Sequence, residues 1–366
     1  MALLAGQVFC PTISSAQDLR ERALPIEAVM QIGEEAGDDA YTFHRISEIA
    51  VARDGSIYVL DGGDRRVAVY DDKGRFRRHF GRGGQGPGEF VRPLSLIVDT
   101  AVHVYDAAQN RVSIFSLDGT HRATHRLPSG GDLNLTFVRR LANGAYFGAT
   151  TARFSPGNPA HDPNIALVTF RRGGTKIDTV GVYHSGGTVW HDAARGLPWG
   201  VAGSKFGAGG AWAIFQDSVI AVADGYNGRV VWYRAAASGL ERALSAQLGV
   251  RGKPITPGEL RALEHAVRAD RSRRLGDIRL VTPPAWSAAT AALFADNGDL
   301  WVRTRDPRQS GSTDVWWAFS RGSRTTRKVV VPEDFHLRAV RGSLLYGLST
   351  TESGAPVVRV YRVRGG

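Results

Sequence analysis

Short apolar runs set off by turn residues recur along the whole chain. Asp54-Gly55 leads into Ser56-Ile57-Tyr58-Val59-Leu60, and the run ends on Asp61. A turn dipeptide followed by about five apolar, mostly β-branched or aromatic residues predicts a strand, because the run is too short for a helix. Related turns stand at Asp99-Thr100, Asn143-Gly144, Asp217-Ser218, Asn297-Gly298 and Arg341-Gly342, at intervals of 45, 44, 74, 80 and 44 residues. Each precedes a run of the same kind: VHVYD, AYFGA, VIAVAD, LWVRT and LLYGL. Six copies of one unit near 45 residues are the strongest signal in the chain, and two of them carry about 30–35 residues more.

A second element locks to the first. Asp61 is followed five residues later by Arg66 and then VAVY, Asp106 by Arg111 and then VSIF, and Asp224 by Arg229 and then VVWY. Triplication argues that each Asp and Arg bridge the turn between neighbouring strands rather than form a binding site. Turns follow at Asp72-Lys73-Gly74 and Leu117-Asp118-Gly119, and Phe76-Arg77-Arg78-His79-Phe80 alternates as an outer strand. Four short antiparallel strands every 45 residues or so make a propeller blade, which must pack against neighbours around an axis. At the C-terminus FHLRAV, SLLYGL and VVRVYRV supply three strands, and the fourth is missing. Residues 27–33 are expected to fill that place. The expected fold is all-β: a six-bladed β-propeller of four-stranded antiparallel blades, closed by the N-terminal strand, in a single domain over residues 24–366.

The stretch GRGGQGPGEF, residues 81–90, matches G-x-G-x-x-G. A phosphate loop of that kind needs a helix after it. Pro87-Gly88 and Pro93 forbid one here, so the stretch reads as the link from an outer strand to the next inner strand. Insertions are expected at about 150–215 and, as a helix, at 255–276. The helix is signalled by Thr256-Pro257-Gly258-Glu259, a capping box with proline in its first turn, and by the stripe Leu260, Leu263, Val267.

Composition narrows the class. Over 366 residues the chain is 43% hydrophobic with 44 glycines, which suits a folded, turn-rich protein. No apolar run reaches the length of a bilayer span. The net charge is +11, yet only five of the 46 basic residues are lysine and no basic run reaches five, which disfavours nucleic acid. Cys10 is the single cysteine, so a disulfide framework and a cysteine-rich zinc site are excluded. Residues 1–16 read as the remnant of a signal peptide, with the apolar run Ala2 to Cys10 and small residues at Ser14 to Ala16 before Gln17. The chain is expected to be exported to the periplasm or beyond, and monomeric.

The motifs D-G-x-I-Y-V-x-D and R-V-x-V-Y-D, followed by an outer strand and GRGGQGPGEF, resemble NHL-repeat and six-bladed TolB-like propellers, many of them exported bacterial proteins. The resemblance is close over 26–128 and 216–234, and fainter over 284–363, where DNGDLWVR and VVRVYRV carry it. Residues 133–215 and 235–283 match by position alone. It implies the fold and leaves function open, since propellers host binding modules and enzymes alike. Enzymes among them include calcium-dependent lactonases and zinc-dependent peptidyl lyases, whose metal ligands ring the central channel at the starts of the inner strands.

At those starts the sequence places Phe43-His44-Arg45, Phe90-Val91-Arg92, Phe137-Val138-Arg139, Gly203-Ser204-Lys205, Ala285-Trp286 and Phe335-His336. His44 and His336 would meet across the closed ring, but a third zinc ligand is not evident, and Glu48 is the carboxylate nearby for calcium. His184, His191 and Asp192, beside Trp190 and Trp199, make either a metal site or a packed loop. No metal or catalytic residue is assigned. The expectation is a basic ring of Arg45, Arg92, Arg139 and Lys205, with His44, His336 and Trp286 between them, around one channel mouth. Converging charge in a concave mouth attracts anions. The expected function is a non-catalytic binding scaffold for an anionic small molecule or a protein partner with an acidic segment, the alternative being a metal-dependent hydrolase, lactonase or lyase with its site in the channel.

Overall fold

A computed structural model describes residues 23–365 apart from 128–133, 152–163, 172–175, 185–187, 193–196, 203–209, 248–250, 270–277, 283–284, 305–313 and 321–325. The six repeat units fold as six four-stranded antiparallel sheets. Blade 1 is Ile46–Val51, Ile57–Asp61, Arg66–Tyr70 and Phe76–Phe80. Blade 2 is Pro93–Val98, Val102–Asp106, Arg111–Phe115 and His121–Arg126. Blade 3 is Asn134–Arg140, Tyr146–Thr151, Asn164–Phe170 and Ile177–His184. Blade 4 is Gly210–Phe215, Val219–Asp224, Arg229–Ala236 and Gly239–Gln247, and blade 5 is Ala289–Phe294, Leu300–Thr304, Asp314–Phe319 and Thr326–Val331.

Blade 6 combines the two ends of the chain. His336–Arg341, Leu344–Thr350 and Pro356–Val363 form its three inner strands, and Ile26–Ile32 is its outer strand, running antiparallel to Pro356–Val363 from Ile26 opposite Val363 to Ile32 opposite Val358. The closure expected from the repeat is therefore present. It replaces an exposed sheet edge by a paired one.

Burial explains why single blades cannot stand alone. All five residues of Ile57–Asp61 are buried, because both faces of the blade are covered. The core is divided into clusters, one at each seam between blades. Leu60, Val67, Phe80, Val104 and Phe115 fill the seam of blades 1 and 2, while Ile32, Ile57, Tyr70, Val358 and Val360 fill the seam that joins blade 6 to blade 1. The other four seams have clusters of their own. Each side chain buried there contributes about 1.5–3 kcal/mol of hydrophobic stabilisation, before conformational entropy is set against it.

One expected boundary is corrected. Residues 150–215 are not simply an insertion: Asn164–Phe170 and Ile177–His184 are the third and fourth strands of blade 3. The added part is the segment after them, where Thr188–Asp192 pairs with Leu197–Ala202 and, across the chain, with Ile278–Val281. The side chains of His184, His191, Asp192, Trp190 and Trp199 lie outside the described residues. The second insertion holds a helix, Pro257–Ala269, as expected. Its capping box is formed: the Thr256 amide donates to Glu259 Oε2 at 2.7 Å, and the Glu259 amide donates to Thr256 Oγ1 at 3.3 Å. Leu263 is buried; the Val267 side chain lies outside the described residues.

Candidate functional site

The inner strands of all six blades line a central channel of about 1040 Å³. They run in one direction, so the channel has a mouth at their starts and a mouth at their ends. At the first mouth lie the turns between second and third strands and the links between blades. At the second lie the turns between first and second strands.

Register sets which side chains reach which mouth. In five of the six inner strands the pairing to the second strand slips by one residue, at Ser47, Leu94, Thr136, Thr290 and Arg338. Such a bulge lifts one residue out of the ladder and re-aims it. Counting from it aligns the blades. Arg45, Arg92 and His336 each stand two positions before the bulge and share the first mouth. Arg139 stands three positions after its own bulge, level with Arg341, at the second mouth. There it pairs with Asp217 of blade 4 at 2.5 Å. The expected ring of Arg45, Arg92, Arg139 and Lys205 is thus not formed: Phe137-Val138-Arg139 copies the sequence of Phe90-Val91-Arg92 but not its register. Lys205 lies outside the described residues.

Trp286 also departs from expectation. It stands four positions before its bulge, like Phe43 and Phe90, and all three are buried. Phe43 and Phe90 plug the seams beside them. The Trp286 indole N–H donates to Glu259 Oε1 at 3.2 Å, so the ring lies against the inserted helix.

The residues that remain at the first mouth are His44, Arg45, Arg92 and His336, all exposed. The alternation His336-Leu337-Arg338, exposed-buried-exposed, adds Arg338, which the sequence reading passed over by stopping at His336. Arg338 Nε lies 3.5 Å from Glu48 Oε1 across the seam of blades 6 and 1. Burial pushes the Glu48 carboxyl above its ordinary pKa, against the pull of Arg338 and of the Ile49 amide. Burial, with the guanidinium groups of Arg338 and Arg303, holds the His336 imidazole below its ordinary value, against the opposing pull of Asp314 and Asp334.

Most acids at this mouth are already engaged. Asp61 accepts the backbone amides of His44, Arg45, Gly63 and Asp64 at 2.8–3.1 Å. Asp106 does the same for Val91, Arg92, Ala108 and Gln109. The recurrent arginine takes the carbonyls. Arg111 donates to the carbonyl oxygens of Gln85, Gly86 and Glu89 at 2.8–2.9 Å, and Arg66 to the Asp39 carboxylate and its carbonyl. The Asp61/Arg66 and Asp106/Arg111 pairs therefore each clamp the link arriving from the preceding blade, the Asp on its amides and the Arg on its acceptors, while Asp224 holds the amides of its own turn at Tyr226 and Asn227. In the first two copies this is the structural role expected for the triplicated motif, reached through the link and not through a direct contact between the two.

One group of three possible metal ligands occurs among the described residues: His44, Asp61 and Asp64. His336 is not part of it. His44 Nδ1 lies 2.7 Å from Asp64 Oδ1. Asp61 is consumed by four amide donors and repeats as Asp106 in blade 2, where no histidine stands beside it. As it stands the group acts as a turn lock, with three amides on Asp61 Oδ1 and one on Oδ2.

The second mouth is a belt of paired charge. Besides Arg139–Asp217, Arg341 approaches Asp296 at 3.9 Å and donates to the carbonyls of Ala52 and Arg53, tying blades 5, 6 and 1.

Fold and channel together define a six-bladed β-propeller. A family model described as a 6-bladed beta-propeller (DUF5128) matches residues 36–157. A probable peptidyl-alpha-hydroxyglycine alpha-amidating lyase of Caenorhabditis elegans is 33% identical over 133 residues. That stretch is 34% of this chain and 38% of the relative, so the chain matches well under half of the relative's length. Among solved structures, a Bacteroides fragilis protein described as exported superposes with a TM-score of 0.51 at 12% identity, over 93% of this chain and 96% of the other. A member of the duf4221 family from Bacteroides vulgatus gives 0.50 at 9% identity, over 94% and 99%. These two likenesses are of fold alone. Among the described residues no helix is long and apolar enough to cross a membrane.

Proposed function

We propose that this propeller is a binding protein whose first channel mouth takes a small anion or an acidic segment of a partner protein. The observation that carries the reading is that Arg45, Arg92 and Arg338 stand at the starts of the inner strands of consecutive blades, all exposed, with Arg45 also donating to the Gly62 carbonyl. The nearby Asp61 and Asp106 are already engaged by backbone amides. Concave placement raises the local potential that an anion meets. The repeat motifs support kinship with NHL-repeat propellers, and the apolar N-terminal run supports export. The test is calorimetric titration of the chain with a hexaglutamate peptide at low and moderate salt, repeated on Arg45→Gln/Arg92→Gln. Binding that weakens with salt and is lost in the double variant supports the reading; salt-independent binding, or binding unchanged in the variant, overturns it.

A second reading, a metal-dependent lyase, is favoured by the one-third identity to the Caenorhabditis elegans protein. Stoichiometric metal in the purified chain, with a melting temperature that falls on chelation, would support it. A metal-free chain with an unchanged melting temperature would remove it.

A further inference from the structure

The channel wall changes character along its length. At the level of the bulges it is polar, with Arg338 and Glu48. Below them it is apolar, and several of its side chains are only half-buried: Phe137, Trp212, Ile214, Ala291 and Leu293. Phe137, Trp212 and Ile214 also pack on the seam of blades 3 and 4, and Ala291 and Leu293 on the seam of blades 5 and 6, so each presents only its channel side. Phe137 and Trp212 come from adjacent blades, and their ring centroids lie 6.5 Å apart at 59°, forming an aromatic shelf. Beyond the shelf comes the belt of paired charge at the second mouth. The cavity is thus an apolar middle between two polar ends, one at Arg338 and Glu48 and one at Arg139, Asp217, Asp296 and Arg341, and its volume is at the upper end of small-ligand sites.

The polar end is open to a ligand. The Arg338 side chain is 41% exposed, and its approach to Glu48 at 3.5 Å is a loose contact. Such a pair contributes little to stability, and the remaining N–H groups of the guanidinium meet no acceptor among the described residues. A guanidinium in that state is suited to a carboxylate, sulfate or phosphate head, which it can hold through two parallel hydrogen bonds. Covering what the apolar wall still exposes supplies hydrophobic free energy at the other end of the same ligand.

We infer that the channel binds a single-headed amphipathic anion, with its head on Arg338 and its apolar tail against Phe137 and Trp212. The inference deepens the binding reading by naming the ligand's chemistry. The four residues that follow the bulge in a strand such as Ile46–Val51 span about 13 Å, about the length of an extended ten-carbon tail.

The test uses the full chain and three probes of one tail length: decanoate, decanol and decyltrimethylammonium. Decanoate is expected to bind, decanol at least about tenfold more weakly, and the cation not at all. In the series acetate, hexanoate, decanoate the affinity should rise with each step, a result that needs no variant. Arg338→Gln should weaken decanoate by about tenfold and leave the melting temperature unchanged, since the side chain is solvent-exposed on one side. Trp212→Ala should weaken decanoate and leave acetate as it was. Arg53, which also lines the cavity, is the control: Arg53→Gln should leave binding unchanged. Equal binding of decanol, no dependence on tail length, or sensitivity to Arg53 in place of Arg338 would each overturn the inference. If hexaglutamate binds the mouth and decanoate does not, this inference fails and the binding reading stands. If neither binds, both fail.

Discussion

The Gly86 amide donates to Glu89 Oε2 at 2.8 Å, inside the link that joins blade 1 to blade 2. Arg82 holds the other oxygen, with Nη2 2.8 Å from Oε1. The glycine-rich stretch does cradle an anion, and the anion is its own glutamate. These contacts hold the Glu89 carboxyl below its ordinary pKa, the Gly86 amide first and Arg82 next. Two short parallel bridges, Arg82 to Glu89 and Gly83 to Phe90, close the loop on itself.

Gly84 leaves the space that Glu89 occupies. Its φ is +150°, and a Cβ there would fall 2.2 Å from Glu89 Oε2. Gly84→Ala is expected to lower stability by more than about 1 kcal/mol, since alanine suits neither the conformation nor the space. Urea unfolding of the two chains measures it, and an unchanged midpoint would show that the link does not depend on this clamp.

The recurrent arginine is expected to matter unequally in its three copies. Arg111 is 5% exposed and holds three carbonyls of the link, so Arg111→Met should cost about 2 kcal/mol or more. Arg229 is exposed, so Arg229→Met should stay within about 0.5 kcal/mol. Equal losses in denaturant unfolding would contradict the clamp.

Ring closure should be visible as cooperativity. Ile32 is fully buried in the seam between the last blade and the first. Ile32→Ala is expected to cost about 2–5 kcal/mol. Removing residues 1–32 exposes the Pro356–Val363 edge and should abolish the single sharp thermal transition. A truncated chain that melts as sharply as the full one would mean that blade 6 closes without its outer strand.

Acid stability should follow the turns between third and fourth strands. Burial pulls the Asp71 carboxyl upward, but hydrogen bonds from Arg75 and the Lys73 amide outweigh it and hold the pKa at about 2. Asp118 is held at about 2 by the Ser116 hydroxyl and by Thr120. Both folded-state values lie below the unfolded value of about 3.9, so the stabilisation is fully present above that pH and is lost as pH falls toward 2. Melting temperatures between pH 5 and pH 2 should drop for the chain as it stands, and drop less steeply for Asp118→Asn, which starts lower at neutral pH. Parallel curves would assign the acid sensitivity elsewhere.

What the sequence determined by itself is the blade. A strand-turn-strand unit is written locally, in an apolar run after Asp54-Gly55 and in the Asp61 and Arg66 that follow, and its recurrence at Asp106 and Asp224 fixes the architecture. Even ring closure was legible, because the C-terminus is one strand short and Val29–Ile32 is one strand over. The tertiary structure decided what faces the channel. Arg139 has the same local sequence as Arg92, yet it stands three positions after the bulge of its strand where Arg92 stands two before, so it reaches the opposite mouth, because register depends on the partner strand and not on the residues alone. Trp286 reads as an exposed aromatic and is buried instead, because an inserted helix reaches it through Glu259. Arg338 joined the site through the alternation that follows buried Phe335, a signal present in the chain but given meaning only when blades 6 and 1 meet. Local pattern sets strands; the meeting of distant strands sets which of their side chains share a mouth.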